Sequence, residues 1–320
     1  MSEEEIFGDS AFLSKSNYGL HPENTFAGVT SFFRRRYSRD LNGVDVAITG
    51  VPVDTATSGR PGTRFGPRAI REASSQIAWE RPYDWDFNMF DELAMVDYGD
   101  VSFDHGRLEE MPGEIRNHIK NILDQDTATL TLGGDHFITY PVLQAHAEKH
   151  GPLSLIHFDA HSDTWSNEDE DGRVDHGTMF YQAAKEGIII PEKSVQIGLR
   201  TTNPDTLGFN ILDARWVSKH GPEACAAEIK RIVGNDKAYI TFDIDCLDPA
   251  FAPGTGTPVF GGVTSPDMMI LLRNLAGVNV VGMDVVEVSP PYDHADITAL
   301  AGATIAAELL AIYSYNKLDK

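Results

Sequence analysis

Apolar positions along the chain fall into two recurring patterns. The first is a near-continuous apolar run, which is typical of parallel strands covered on both faces. Such runs predict six strands, at residues 44–53, 127–134, 153–160, 194–200, 237–245 and 278–288. The second is apolar residues at helical spacing, which predicts helices at residues 66–79, 140–150, 222–234, 265–275 and 298–315. Strand–helix alternation over this length predicts an α/β fold whose parallel sheet has helices on both sides.

The organisation into domains follows from the same pattern. Because no internal repeat or low-complexity linker interrupts it, residues 1–320 are predicted to form a single domain. Residues 1–43 form a peripheral segment outside the alternation. Its mixed basic and aromatic stretch FFRRRYSRD, at residues 32–40, predicts a peripheral helix and loop of the same domain. An arm onto a neighbouring subunit is the alternative.

Net charge and composition limit the classes of binding partner and the cellular compartment that are expected. The formal net charge of −22 disfavours nucleic acid and anionic membrane as partners and favours cationic ligands, although solubility is a simpler explanation. The sequence contains no run of about 18 apolar residues, so no membrane span is predicted. The two cysteines, Cys225 and Cys246, and an acidic N-terminus unlike a signal peptide predict a cytoplasmic protein.

Ionisable side chains gather where three of the predicted strands end. The segments are GGDHF, HFDAHSD and TFDIDCLDP. In open α/β sheets, ligands bind beyond the carboxyl ends of the strands. Residues two apart on an extended chain face the same way, so these side chains are expected to converge. The members predicted to bind metal are His136, Asp159, His161, Asp163, Asp243 and Asp245.

Four carboxylates packed together repel one another unless a cation compensates them. Four Asp and two His are too many ligands for one small ion, so they predict two metals bridged by carboxylates. An oxygen-dominated set with two imidazoles favours Mn²⁺ ahead of Zn²⁺, with Mg²⁺, Ni²⁺ and Co²⁺ as alternatives. Asp135 and Asp248 are interpreted as a helix cap and a turn residue, and His157 as a buried structural histidine.

Three further residues are predicted beside this centre. His176 follows an acidic loop, residues 166–171, and suits proton transfer because the ordinary histidine pKa lies near neutral pH. Glu287 ends an apolar strand and is positioned to hold a cationic group. Thr257, in the glycine-rich loop PGTGTPVFGG, is predicted to make a polar contact with substrate. The loop TSGRPGTRFGP, residues 57–67, lacks a phosphate-binding pattern and is interpreted as a pocket edge.

The segments GGDH, DAHSD and TFDIDCLDPAFAPGTG, in this order, resemble the ureohydrolase family of arginases, agmatinases and related guanidino-acid hydrolases. IAWERPYDWDF, VDHGTMFYQAAKEG and GMDVVEVSPPYD resemble bacterial agmatinases. The resemblance implies a three-layer α/β/α fold with about eight strands, two Mn²⁺ per subunit, and homotrimers or homohexamers. It implies that His136, Asp159, Asp163 and Asp243 hold one metal, and that Asp159, His161, Asp243 and Asp245 hold the other. By the same resemblance, His176 is a proton shuttle and Glu287 pairs with the guanidinium.

The implied reaction is hydrolysis of a small cationic guanidino compound, agmatine, to putrescine and urea, a step of polyamine biosynthesis. Gly172, Val174, Thr201 and Asn203 stand where arginases recognise the α-amino and α-carboxylate groups, which disfavours arginine. Two alternatives remain at this stage. One is another guanidino substrate, such as 4-guanidinobutanoate or 3-guanidinopropanoate, with Arg173 as the partner of its carboxylate. The other is a non-catalytic metal-binding relative.

Overall fold

The computed structural model describes residues 8–21, 23–168 and 173–318. Eight strands in this part of the chain form one sheet in the order β2-β1-β3-β8-β7-β4-β5-β6, and every neighbouring pair is parallel. The strands are β1 Val46–Val51, β2 Met95–Asp100, β3 Ala128–Gly133, β4 Ser154–Phe158, β5 Val195–Ile197, β6 Asn210–Leu212, β7 Ala238–Asp243 and β8 Val280–Val286.

Helices cover both faces of this sheet. They are α1 Ser10–Leu13, α2 Gly66–Ser74, α3 Met89–Glu92, α4 Met111–Leu123, α5 Thr139–His150, α6 Met179–Lys185, α7 Ala214–His220, α8 Pro222–Val233, α9 Ser265–Arg273 and α10 Ile297–Tyr315. Apolar side chains of α2, α3, α8, α9 and α10 bury one face of the sheet. Those of α4, α5 and α6 bury the other. The arrangement confirms the expected three-layer α/β/α fold with eight parallel strands.

The six strands expected from apolar runs are all present, with shorter ends. The edge strands β2 and β6 were not predicted. β2 reads MVDYGD, and its buried Asp97 pairs with Arg71 at 2.8 Å, so a polar residue occupies a position where an apolar one is usual. β6 has only three residues, which is too short for a pattern.

The helices expected at residues 66–79 and 265–275 end earlier, at Ser74 and Arg273. The helix α4 was missed although Met111, Ile115 and Ile119 follow helical spacing and are buried. The last helix, α10, is long and apolar enough to cross a membrane by length and composition, with a mean hydropathy of 1.6. Most of it is buried inside the protein, so α10 is a core helix here.

The segment at residues 32–40 packs on the same sheet. Phe32 and Phe33 are almost fully buried, and the main-chain amide of Phe32 donates to Asp97 Oδ2 at 2.8 Å. Arg34 donates to the carbonyls of Val29 and Ala27. These contacts join residues 32–34 to β2 and to the preceding segment of the same chain.

Candidate metal centre

The chemistry-bearing side chains lie at or just beyond the ends of four strands that are neighbours in the middle of the sheet, with Glu287 directly after β8. β3, β8, β7 and β4 stand side by side and, being parallel, end at the same edge. β3 leads into His136, and β7 ends on Asp243 and turns into Asp245. β4 leads into the remaining three side chains: Asp159, His161 and Asp163. Residues far apart in sequence therefore meet at one edge because of strand order.

Asp159 stands between the two histidines and is fully buried. Its Oδ2 is 3.0 Å from His136 Nδ1, and its Oδ1 is 3.3 Å from His161 Nδ1. One carboxylate oxygen thus faces each imidazole. This is the geometry of a carboxylate shared between two neighbouring cation positions.

The other three carboxylates complete the two sides. On the His136 side, Asp163 Oδ2 and Asp243 Oδ2 lie 3.0 and 3.4 Å from His136 Nδ1. On the His161 side, Asp245 Oδ2 lies 3.1 Å from His161 Nδ1. By these distances the structure brings together all six residues that the sequence singled out. Two adjoining groups could hold a metal ion: His136, His157, Asp159 and Asp163 form one, and Asp159, His161 and Asp245 form the other.

The orientation of His136 tests whether a cation fits here. Thr241 Oγ1 donates to Asp284 Oδ1 at 2.6 Å, so it accepts from His136 Nε2 at 2.8 Å. The Nδ1 atom of His136 is then left to point among three carboxylate oxygens, and it is buried without a hydrogen bond. Only a positive charge satisfies both partners, so the donor set fits a metal ion.

The electrostatics of the cluster are consistent with this. Burial, together with the charges of Asp245 and Asp159, raises the pKa of Asp243 well above its ordinary value. Although burial favours the neutral imidazole, the three facing carboxylates raise the pKa of His136 well above its ordinary value. Both shifts reflect the excess negative charge of a buried site, which a bound cation would compensate.

His157 has a more specific position than the sequence indicated. It is fully buried, and its Nε2 is 2.7 Å from Asp159 Oδ2. Gln196 Nε2 lies 3.0 Å from His157 Nδ1 and donates to the carbonyl of Ser162 at 2.6 Å. No motif marks Gln196, so sequence reasoning missed it.

Glu287 and His176 lie together beside the centre. Glu287 Oε1 accepts from the main-chain amide of His136 at 2.9 Å and lies 3.1 Å from His176 Nδ1. Its Oε2 is buried and has no hydrogen-bond partner. Burial lowers the pKa of His176, but the hydrogen bond to Glu287 and the charge of Glu287 raise this pKa to about 9.

Ser58, which the sequence did not single out, fixes the other side of this histidine. Its hydroxyl oxygen lies 2.7 Å and its main-chain amide nitrogen 2.9 Å from His176 Nε2, which leaves Nδ1 to face Glu287. The loop at residues 57–67 therefore reaches the site, as a pocket edge should. Only the path of this loop in three dimensions reveals the contact.

Two residues of the site have left-handed backbone angles that non-glycine residues rarely adopt. The φ of Asp163 is 52° and that of Glu287 is 63°. Such strain persists only where the surrounding structure over-determines it, and it gathers at functional sites. The main-chain amide of Glu287 donates to the carbonyl of Gly134 at 2.9 Å, and Gly134 lies so close to the main chain of Val53 that a Cβ there would be 2.4 Å from its carbonyl oxygen.

The glycine-rich loop and Asp135, the aspartate of GGDH, also border the site. Thr257 Oγ1 donates to Asp245 Oδ2 at 3.3 Å. A Cβ on Gly256 would lie 3.3 Å from Glu287 Oε2. The interpretation of Asp135 as a helix cap is wrong: its side chain makes no capping bond and instead accepts from the main-chain amide of Ala56 at 2.8 Å. The glycine-rich loop therefore helps to form the site, and Asp135 holds the main chain at Ala56.

Positions expected to decide the substrate lie at the pocket mouth. Asn203 Nδ2 donates to Ser162 Oγ and Thr164 Oγ1, at 3.1 and 3.0 Å, and Thr201 Oγ1 donates to the carbonyl of Ala160 at 3.1 Å. Gly172 and part of the acidic loop, residues 169–171, lie outside the described residues. Trp165, among the described residues, is half exposed.

Fold and site together define an α/β/α protein with a two-metal centre at the carboxyl edge of its sheet. The family model described as the arginase family matches residues 44–311, most of the chain. The chain therefore belongs to the arginase family, a class of enzymes that hydrolyse amidine groups and release urea.

Individual relatives are similar over nearly the whole chain. An agmatinase from Chromobacterium violaceum is 54% identical over 320 residues, 99% of each chain. The crystal structure of a hypothetical agmatinase from Burkholderia thailandensis has a TM-score of 0.94 at 56% identity, covering 96% of this chain and 98% of the other. Proclavaminate amidino hydrolase from Streptomyces clavuligerus has a TM-score of 0.85 at 38% identity, covering 92% and 100%.

Proposed function

We propose that this protein hydrolyses agmatine to putrescine and urea at a centre of two Mn²⁺ ions. The observation that carries the proposal is the carboxylate of Glu287: its Oε2 is buried and unpartnered, while its Oε1 contacts the amide of His136 and the ring of His176. A planar guanidinium cation is the group that a fixed carboxylate binds with two hydrogen bonds. Relatives named agmatinases, at 52–54% identity, support agmatine as the source of that group.

The six ligands divide between two positions. His136, Asp159, Asp163 and Asp243 would hold one ion, and Asp159, His161, Asp243 and Asp245 the other. This division is supported by the three carboxylates around His136 Nδ1 and by the two around His161 Nδ1. Four carboxylates with two imidazoles and no thiolate favour Mn²⁺. When bound, the two ions supply a nucleophile at neutral pH, because they lower the pKa of a shared water.

The protein's own residues then orient the reaction. Glu287 holds the guanidinium and aims its carbon at the attacking water. Asp163 accepts a hydrogen bond from that water and directs its lone pair. As water adds and the bond from carbon to the alkylamine nitrogen breaks, this nitrogen takes up a proton. His176, with a pKa raised to about 9, is protonated at neutral pH and supplies this proton directly or through water.

The side chains at the pocket mouth favour a substrate without α-amino and α-carboxylate groups. The amide of Asn203 and the hydroxyl of Thr201 donate to groups of this chain. A substrate carboxylate would have to compete with the acceptors that these two side chains already contact. Thr257 remains as a polar group near the bound guanidino compound, and the net charge of −22 attracts a dication.

A guanidino acid is the second candidate substrate, with Arg173 as the partner of its carboxylate. Arg173 is exposed at the mouth, and its Nη2 lies 3.8 Å from Asp175 Oδ2. The neighbouring carboxylate offsets the attraction that Arg173 offers to a second anion. This arrangement favours agmatine over 4-guanidinobutanoate and 3-guanidinopropanoate.

A urea-release assay tests the proposal. Protein loaded with Mn²⁺ is given agmatine, arginine, 4-guanidinobutanoate and 3-guanidinopropanoate in parallel. We expect the largest kcat/KM for agmatine. A larger value for either acid would transfer the proposal to that acid, and no urea from agmatine would refute it.

Two further properties follow from the family resemblance as proposals. We infer a cytoplasmic enzyme that assembles as a homotrimer or homohexamer. Light scattering of the purified protein distinguishes these two assemblies from each other and from a monomer.

A further inference from the structure

The carboxylate of Asp159 already accepts one fixed hydrogen bond on each of its oxygens. Oδ1 accepts from the main-chain amide of His161 at 2.6 Å, and Oδ2 contacts His157 Nε2 at 2.7 Å. An ionised carboxylate has about four lone-pair positions, two on each oxygen. One position on each oxygen therefore remains, and these oxygens face His161 Nδ1 and His136 Nδ1 respectively.

The proton of His157 is fixed by a residue on the next strand. Gln196, on β5, has its Nε2 2.6 Å from the carbonyl oxygen of Ser162. A carbonyl only accepts, so this atom must be the amide nitrogen rather than its oxygen. Its second hydrogen is directed at His157 Nδ1, 3.0 Å away. Nδ1 is thus an acceptor, and Nε2 carries the proton that it donates to Asp159 Oδ2.

Gln196, His157 and Asp159 form a hydrogen-bonded relay, and burial makes this relay rigid. Gln196, His157 and Asp159 are all fully buried. The ring of His157 packs edge-on against Phe180, with centroids 4.6 Å apart, and against His136, at 5.2 Å. Ser162, to which Gln196 also donates, lies between the candidate ligands His161 and Asp163. The relay therefore connects the shared carboxylate with the loop that carries two more ligands.

We propose that His157, oriented by Gln196, is a positioning residue that restricts Asp159 to one metal on each oxygen. Without the donor at His157 Nε2, the carboxylate is free to rotate and to bind one ion through both oxygens. The pair of ions then loses a shared ligand. This proposal rests on the proposed two-metal centre and adds a residue to it that holds no metal itself.

The test measures Mn²⁺ binding and not turnover. Metal-free protein is titrated with Mn²⁺, the Kd values are obtained by calorimetry, and electron paramagnetic resonance reports whether two Mn²⁺ are magnetically coupled. His157→Leu removes the donor at similar volume. Residues that orient a ligand typically contribute 10- to 100-fold to metal affinity, so we expect a Kd larger by about that factor and a loss of the coupled spectrum.

Two more variants separate the donor from packing. Glutamine has an amide nitrogen at the reach of histidine Nε2, so His157→Gln is expected to recover the affinity to within about threefold and to restore the coupled spectrum. Gln196→Leu leaves His157 in place but no longer fixes its proton. We expect it to weaken binding in the same direction, and it carries the test if His157→Leu does not fold.

His146→Leu is the matched control. His146 is equally buried and its Nε2 bonds Thr129 Oγ1 at 2.9 Å, but it contacts none of the six candidate ligands. It is expected to bind Mn²⁺ like the unmodified protein. Unchanged Kd values and an unchanged spectrum in His157→Leu or Gln196→Leu would overturn the relay, as would a His157→Gln variant no better than His157→Leu. Unmodified protein that binds two Mn²⁺ but releases no urea would refute the proposed function alone.

Discussion

Replacing Glu287 with glutamine removes one charge and changes almost no volume. Glu287 Oε1 must remain an acceptor, because it meets the main-chain amide of His136 and the proton on His176 Nδ1. The amide oxygen of the new side chain will therefore take this place. The amide nitrogen will then occupy the position of Oε2 and direct hydrogens at the pocket, where a guanidinium would also direct hydrogens.

The magnitude follows from the bond that is lost. Hydrogen bonds to charged groups contribute about 1.5–3 kcal/mol each, so losing the one at Oε2 costs about that much. At about 1.4 kcal/mol for each factor of ten, kcat/KM for agmatine should fall by at least about 10- to 100-fold. Metal content should not change, since Glu287 is not among the six proposed ligands.

The assay is urea release as a function of agmatine concentration, with metal content measured on the same samples. Glu308→Gln is the matched control, because Glu308 is an equally buried carboxylate that bonds Trp85 and Arg273 far from the centre. It should keep its kcat/KM and lose stability instead. If Glu287→Gln retained kcat/KM within threefold, or lost its metal, the role assigned to Glu287 would be wrong.

Three other outcomes are expected. In His176→Asn, the amide nitrogen can still donate to Glu287, so kcat should fall by about 10²–10⁴-fold while KM changes little; an unchanged kcat would exclude His176 as the proton donor. Chelation should lower Tm by roughly 5–10 °C and added Mn²⁺ should restore it, because two ions at 100 times Kd stabilise the folded state by about 5 kcal/mol; a constant Tm would contradict a two-metal centre. Burial lowers the pKa of His146 to about 3, so the folded state excludes a proton that the unfolded state binds below pH 6.5. Stability is thus lost as pH falls, and His146→Gln should gain about 2 kcal/mol relative to the unmodified protein between pH 6.5 and 4.5 in urea unfolding, with no relative gain counting against this assignment.

The central strands and the site could be predicted from sequence because charged side chains follow directly after apolar strands. Apolar runs mark β3, β4, β7 and β8, and charges placed directly after such runs have few explanations other than a site. The two edge strands of the sheet were harder to predict. In β2, the buried pair of Asp97 and Arg71 replaces the apolar residue that a pattern needs, and in β6 three residues carry no period.

Within the site, ligand types were predictable and supporting contacts were not. Carboxylates and imidazoles are common metal ligands, so the residue types alone indicate a metal site. Ser58 and Gln196 are ordinary polar residues whose roles depend on where a loop and a neighbouring strand bring them. Asp135 was misassigned for the same reason: its partner, Ala56, is 79 positions away, and no local pattern contains that information.

The position of β8 has a consequence for the order of events during synthesis. β8 is the last strand to leave the ribosome, yet it lies between β3 and β7 in the middle of the sheet. A nascent chain that lacks it has two exposed sheet edges and no Glu287, and unpaired edges of this kind favour aggregation. The halves of the sheet, and with them the ligands on β3 and on β4 and β7, are joined only when this final insertion takes place. One proposed position, formed by Asp159, His161, Asp243 and Asp245, draws only on β4 and β7, whereas the other also needs His136 after β3. The pair of positions is therefore complete only once β8 has joined the two halves.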